Sequence, residues 1–362
     1  MPPRLSLDSV RKSILSMLPP LPFSRAAATG PLAAISVVVI LVISTAVWAW
    51  STGRMPDRLA VVLHLPKSPK AAPEATPQPA VEEDAEPETD GPSVRLGRSP
   101  VAGGILAIPQ SFAPAEDGGF DLIVHFHGNT DLALESYDAV GTGAAIVVMN
   151  HGVGSGAYED RYSNPQALSD VLERSAQAVK ARGLANAHVR RLSLVGWSAG
   201  YGAALKIVDH APFADRVDAI ILLDGLHIGF REGSSVVDKM PLMPIERFAR
   251  RAADGDKLFV ITHSNIDPVN YLGVKATTDV LLKDLGIERR AISGRTTLPI
   301  LSAMHGVLPK DDLRALERRS EAHKGGLTIR GYGGDSPAHH IAHLMQMSQI
   351  ALPLLVERWS AK

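Results

Sequence analysis

Residues 191–205 read Arg191-Leu192-Ser193-Leu194-Val195-Gly196-Trp197-Ser198-Ala199-Gly200-Tyr201-Gly202-Ala203-Ala204-Leu205. The opening residues form a short strand-like run ending in Leu194-Val195, and those from Tyr201 onward are small or apolar helix formers. Between them lies Gly196-Trp197-Ser198-Ala199-Gly200, the pattern Gly-x-Ser-x-Gly. A strand that turns directly into a helix holds its central side chain in a strained, exposed position. Flanking glycines are then required, because a Cβ two residues to either side meets neighbouring backbone. The letters alone are a weak signal; the strand before them and the helix after them supply the specificity.

Working outward, residues 94–362 alternate short β-rich apolar runs with longer runs of helical period. That alternation predicts an α/β fold with a mostly parallel central sheet flanked by helices. Strands are expected near Gly104–Ile108, Leu122–Phe126, Ala145–Met149, Leu192–Gly196, Ala219–Leu223, Leu258–Thr262 and Leu327–Arg330. The clearest helix covers Gln166 to Ala181: Leu168, Val171, Leu172, Ala176 and Val179 share a face, and Pro165 takes the permitted first turn. Helical runs are also expected near Ala276–Leu285 and Asp311–Glu321, and a final helix over Pro337–Trp359 that Pro353 should kink.

On the strand, the serine turn and the helix, the sequence resembles the α/β-hydrolase superfamily, the group of serine esterases and lipases. The resemblance implies that Ser198 is a nucleophile and that the Ala199 amide is half of an oxyanion hole. The other half is expected after Leu122-Ile123-Val124-His125-Phe126, where His127-Gly128-Asn129 follows. Gly128 lets the chain bend so that the Asn129 amide faces the serine. His127, Trp197 and His263 are candidates to line the substrate pocket.

In this superfamily the order along the chain is serine, acid, histidine. The histidine falls in Gly331-Tyr332-Gly333-Gly334-Asp335-Ser336-Pro337-Ala338-His339-His340-Ile341-Ala342-His343. The junction of loop and helix favours His339, with His340 the alternative and His343 a full turn too deep. For the acid, Asp224 closes the run Ile220-Ile221-Leu222-Leu223 and is preferred. Asp267, after the next strand, is the alternative, and Asp335 stands third. The superfamily more commonly takes its acid from that next strand, so Asp224 is a departure. The expected activity is hydrolysis of a carboxylic ester through an acyl-enzyme, without a cofactor. Small esters, lipids, acetylated polysaccharides and peptides all remain open as substrates. The stretch from Gly229 to Asp256 is too short for a large lid.

Two other classes compete. His127, His151, His227, His263 and His339 or His340 all fall near strand ends, where with Asp224 they could hold zinc. His339 and His343 have the i, i+4 spacing of a His-Glu-x-x-His site, but His340 stands where the glutamate belongs, so no metal is expected. The other is a hydrolase fold without chemistry, serving as a tethered binding domain.

The remainder is organised for a membrane. Leu32 to Trp50 is uncharged and dominated by Ile, Val, Leu and Ala, long enough at about 1.5 Å per residue to cross most of a hydrocarbon core. Arg4, Arg11, Lys12 and Arg25 precede it against Asp8 alone, and Trp48 and Trp50 close it. This predicts a basic cytoplasmic tail over 1–31 and a single transmembrane helix over 32–50, with a cleaved signal peptide as the competing reading, against which stand the long n-region and the lack of a clear small-x-small site. A Pro/Glu-rich linker over 51–93 and a catalytic domain over 94–362 then follow. The setting implied is a bacterial inner membrane with the catalytic domain in the periplasm. Seven prolines and seven acidic residues between Pro66 and Pro92 leave the linker too little apolar surface to order itself. With 37 Lys and Arg against 38 Asp and Glu, no basic field exists to gather nucleic acid. The absence of cysteine excludes disulfides and thiolate chemistry.

Overall fold

The computed structural model describes residues 94–297 and 315–361. The tail, the apolar run and the linker lie outside the described residues. Within them no helix is long and apolar enough to cross a membrane.

Among the described residues ten strands form one sheet: β1 (Gly97–Val101), β2 (Gly104–Ile108), β3 (Gly119–Phe126), β4 (Ala145–Met149), β5 (His188–Trp197), β6 (Val217–Leu223), β7 (Leu258–His263), β8 (Arg290–Arg295), β9 (Glu317–Lys324) and β10 (Leu327–Tyr332). Their order is β1-β2-β4-β3-β5-β6-β7-β10-β9-β8. From β4 to β10 every neighbouring pair is parallel, and antiparallel strands close both edges. This is a mixed α/β architecture, as expected, and all seven expected strands are present.

The central strands read as continuous apolar runs because both faces are covered. Successive residues feed opposite faces: Leu122, Val124, Phe126, Leu192, Leu194, Ile220, Leu222, Phe259 and Ile261 join one core, and Ile123, Val195, Ile221, Leu223 and Val260 join the other. Helices α2 (Ser155–Tyr162), α3 (Pro165–Ala181), α4 (Tyr201–Asp209) and α6 (Met243–Ala253) supply the first core. Helix α1 (Thr130–Val140) and the C-terminal helices supply the second. The remaining helices are α5 (Ala211–Arg216) and α7 (Val274–Leu285). Helix α3 begins as expected: the Asn164 side chain accepts from the Gln166 amide, and Pro165 sits where no amide hydrogen is needed. Between Gly229 and Asp256 the helical elements are one 3-10 turn (Met240–Leu242) and α6, with no large lid.

Two expectations give way. The run expected to be helical to Glu321 is, from Glu317, strand β9, which pairs antiparallel with β10 across Gly325-Gly326 and with β8 on its other side. The two-residue glycine turn was the legible hairpin signal. The C-terminal helix is broken into α8 (Pro337–Met345), α9 (Met347–Ile350) and α10 (Leu352–Ser360). The breaks fall at Gln346 and Ala351, ahead of Pro353, which sits in the first turn of α10 where it is tolerated. Arg330 donates to the Ile350 carbonyl at 2.7 Å and so satisfies an acceptor released by the second break.

The chain leaves β3 for β4 on one side, then returns past β3 to place β5 on the other. The carboxyl ends of β3 and β5 therefore form the switch point where open α/β sheets bind ligands. The opposite edge is a charged clamp, with Asp121 buried between Arg190 and Arg191, and Arg191 also donating to the Trp359 carbonyl at 2.7 Å.

Candidate active site

Strand β5 ends at Trp197, and Ser198 opens a single 3-10 turn that runs into α4. Ser198 has φ 49°, a left-handed conformation that side chains other than glycine rarely adopt. The glycines are demanded by contact. A Cβ on Gly196 would stand 2.8 Å from the Gly200 carbonyl carbon, and one on Gly200 would overlap the carbonyl oxygen of Phe126 at the end of β3. Both obstacles are backbone and cannot step aside. Gly200→Ala is therefore expected to cost about 3 kcal/mol or more, lowering Tm by roughly 6–12 °C in thermal denaturation. An unchanged Tm would mean that the elbow does not press on β3.

Asp224 follows β6 with φ 44° and is 2% exposed. Its amide donates to the Thr262 carbonyl at 2.9 Å, fixing it between the ends of β6 and β7. One carboxylate oxygen accepts from the Ser264 amide at 2.7 Å, and the other pairs with His340 Nδ1 at 2.8 Å. A Cβ on the next residue, Gly225, would overlap the Ser198 carbonyl oxygen, so the turn carrying Asp224 lies directly on the elbow. Burial pushes this carboxyl up, but His340 and the Ser264 amide, with the charge of His343, hold it well below the usual carboxylate range. His343 is itself drawn down to about 4 by burial, so at neutral pH the lowering rests on His340 and the amide.

Of the two adjacent histidines, the structure turns His340 and not His339 toward Asp224. His339 lies over Gly334, and its Nδ1 pairs with Ser336 Oγ at 2.7 Å, at the start of α8. One residue on a helix is a rotation of about 100°, enough to separate the two completely. His343, one turn further, is fully buried with Nδ1 2.8 Å from Thr262 Oγ1. Asp267 and Asp335 are both exposed in loops.

The turn after β3 surrounds the same point. His127 has φ 71° and Gly128 φ 124°. A Cβ on Gly128 would stand 2.9 Å from Leu344 and 3.4 Å from the Trp197 ring. The Gly128 amide is engaged, donating to Asn150 Oδ1 at 3.0 Å, and Asn129 caps α1 by accepting from the Leu132 amide at 3.0 Å. His127 Nδ1 meets the Tyr158 hydroxyl at 2.9 Å. The His127 ring stacks on one face of Trp197 with centroids 5.3 Å apart and planes 12° from parallel, and His340 stacks on Trp197 at 4.9 Å and 29°. Trp197 Nε1 donates to the His340 carbonyl at 3.1 Å. Asn150, Tyr158 and Ser264 escaped the reading of the sequence. Of these Asn150 and Ser264 had a signal, each the polar residue immediately after a buried strand.

His263, expected to line a pocket, is 1% exposed and both ring nitrogens are occupied: Nδ1 donates to the Ser264 carbonyl at 2.8 Å, and Nε2 accepts from Arg289 at 2.9 Å. The guanidinium there opposes a cation. Burial draws His127, His151 and His263 down to about 4, so all three are neutral in the neutral range. Among the described residues no group of three or more His, Asp or Glu converges to hold a metal. His339 and His343 each turn Nδ1 to a separate hydroxyl partner.

No family model and no curated protein matches the sequence. Among solved structures, the chain is similar to a siderophore hydrolase, EstB, from Aspergillus nidulans. That likeness has 15% identity and a TM-score of 0.36, covering 78% of this chain and 97% of the other. It is also similar to the siderophore hydrolase EstA of the same organism, at 11% identity and a TM-score of 0.36, covering 75% and 100%. Superpositions this loose carry no argument about chemistry, which must come from the side chains.

Proposed function

We propose that the protein is a serine hydrolase that cleaves a carboxylic ester through Ser198, His340 and Asp224. The observation that carries this reading is the 2.8 Å pair of buried Asp224 with His340, set against an elbow whose serine is held at φ 49°. A hydroxyl is a weak nucleophile until a neighbouring imidazole accepts its proton, and the imidazole needs a carboxylate to fix its tautomer and balance its charge. With Nδ1–H bonded to Asp224, His340 presents Nε2 as the base.

In the proposed course, Ser198 Oγ attacks the ester carbonyl carbon while its proton passes to His340 Nε2. The resulting oxyanion is met by the amides of Ala199 and Asn129, the Gly128 amide being taken by Asn150. Collapse breaks the C–O bond, and the alkoxide leaves with the proton from the imidazolium. Water, activated by the same nitrogen, then releases the acid and regenerates Ser198. No cofactor takes part. The Leu32–Trp50 run and the basic residues before it support a single-pass tether that holds this domain on the periplasmic face of a bacterial inner membrane.

A fluorophosphonate probe tests the nucleophile directly. One phosphonyl group per chain is expected, mapped to Ser198 by peptide mass spectrometry and blocked by prior incubation with an ester substrate. Failure to label protein that hydrolyses esters, or labelling at another residue, would exclude the assignment.

A further inference from the structure

A single hydrogen bond to a carboxylate leaves an imidazole free to swing about that bond, so Asp224 alone does not determine where His340 Nε2 points. A second restraint comes from the residue immediately before the nucleophile. The Trp197 indole lies against the His340 ring at 4.9 Å and 29°, and its Nε1 donates to the same residue's carbonyl at 3.1 Å. Ring and backbone of His340 are thus both referenced to Trp197. Trp197 is in turn held by His127, stacked at 5.3 Å and 12° and itself fixed by the Tyr158 hydroxyl at 2.9 Å. The result is an unbroken series, Tyr158, His127, Trp197, His340 and Asp224, running across the ends of the strands.

We infer that Trp197 is a positioning residue that clamps the imidazole of His340 in its working orientation and stabilises its protonated form through the indole face. The inference rests on the serine-hydrolase reading and deepens it. An indole is the most favourable aromatic face for a cation, and the benefit grows where water is excluded. His127 also stacks on this indole. His127 is neutral in the neutral range because burial, then the nearby His340, draws it down to about 4, so it does not compete for the indole as a cation. The titratable groups around His340 are Asp224 from the end of β6, His127 from the end of β3, His227 from the loop after Asp224, and His339 and His343 on its own helix. None of these groups is removed when Trp197 is changed.

The full chain carrying Trp197→Leu or Trp197→Phe is compared with wild type in ester turnover. Loss of the clamp in Trp197→Leu is expected to lower kcat about 10- to 100-fold with a smaller change in KM, since a base displaced by an ångström costs about that much. The acid limb of kcat/KM should move down by about half a pH unit. Trp197→Phe keeps an aromatic face but loses the Nε1 bond, and should restore the acid limb and much of kcat. Wild-type kcat and acid limb in Trp197→Leu would overturn the inference, as would equal losses in both variants with an unmoved limb.

A measurement on intact wild type guards against a variant that fails to fold. A protonated imidazole in face contact quenches indole emission, so fluorescence should step with pH alongside the acid limb and lose that step in His340→Ala. A step that persists in His340→Ala, or no step at all, refutes the stack. If wild type hydrolyses esters yet fails to label at Ser198, the hydrolase reading falls first. If labelling is normal and the Trp197 variants behave as wild type, only the clamp falls.

Discussion

Ser198→Ala is expected to lower the hydrolysis of a p-nitrophenyl ester by about 10⁶-fold, roughly 8 kcal/mol of transition-state stabilisation. The magnitude follows from the proposed division of labour. His340 and Asp224 act only through the serine oxygen, so removing Oγ disables all three together. What remains is the pair of amides and whatever binds the substrate, which in such sites still gives residual acceleration over water. KM should change little, because Oγ contributes to the transition state and not to substrate affinity. The fold should tolerate the change: alanine is smaller than serine, the left-handed φ at position 198 is strained for either, and the demanding glycines at 196 and 200 are untouched. Turnover retained within tenfold, in protein with an unchanged Tm, would remove Ser198 from the chemistry.

The reason this serine was legible is that its setting depends on sterics written in single letters. Gly196 and Gly200 are there because backbone from the elbow itself and from β3 occupies the space of a Cβ, and no other residue type meets that demand. The seven central strands were legible for a related reason, since a strand covered on both faces reads as a near-continuous apolar run. Asp224 was legible as a carboxylate at the end of such a strand. The edges were not. Strand β8 is exposed along its whole length, and β9 is rich in Arg and Glu, so neither carries the apolar signature on which the expectation relied. Charged side chains on an edge discourage pairing with other chains, and they also hide the strand from a search for apolar runs.

The stacking around Trp197 was illegible for a different reason. It joins residues 127, 158, 197 and 340, which no periodicity connects, and it exists only because β3 and β5 are neighbours at the switch point while α8 returns across them. The same return decides between His339 and His340. Sequence placed both at the junction of loop and helix, but which of them meets the elbow is decided by tertiary contacts, the pairing of His340 with Asp224 and its stacking on Trp197. In this rotation His340 lies at the elbow and His339 is left over Gly334.

That rotation makes a sharp prediction: His340→Ala should match Ser198→Ala in severity, about 10⁶-fold in kcat, while His339→Ala stays within about threefold. In His340→Ala the serine loses its proton acceptor and the leaving alkoxide loses its donor. Asp224 cannot substitute as base, because its carboxyl is held well below the usual range and it faces the Ser264 amide on one side and a vacated ring on the other. Held low in this way, Asp224 stays ionised throughout the range in which the enzyme would work. Removal of the ring leaves one buried carboxylate oxygen without its partner, so a stability loss of about 1–3 kcal/mol should accompany the kinetic one. Thermal denaturation separates the two effects, because a loss of that size still leaves a domain of this type folded at assay temperature. His339→Ala removes only the bond to Ser336 Oγ, at the first turn of α8. If His339→Ala were the dead variant and His340→Ala the active one, α8 would have to sit about 100° from its position here. The Asp224 pair would then be an ion pair without a catalytic role.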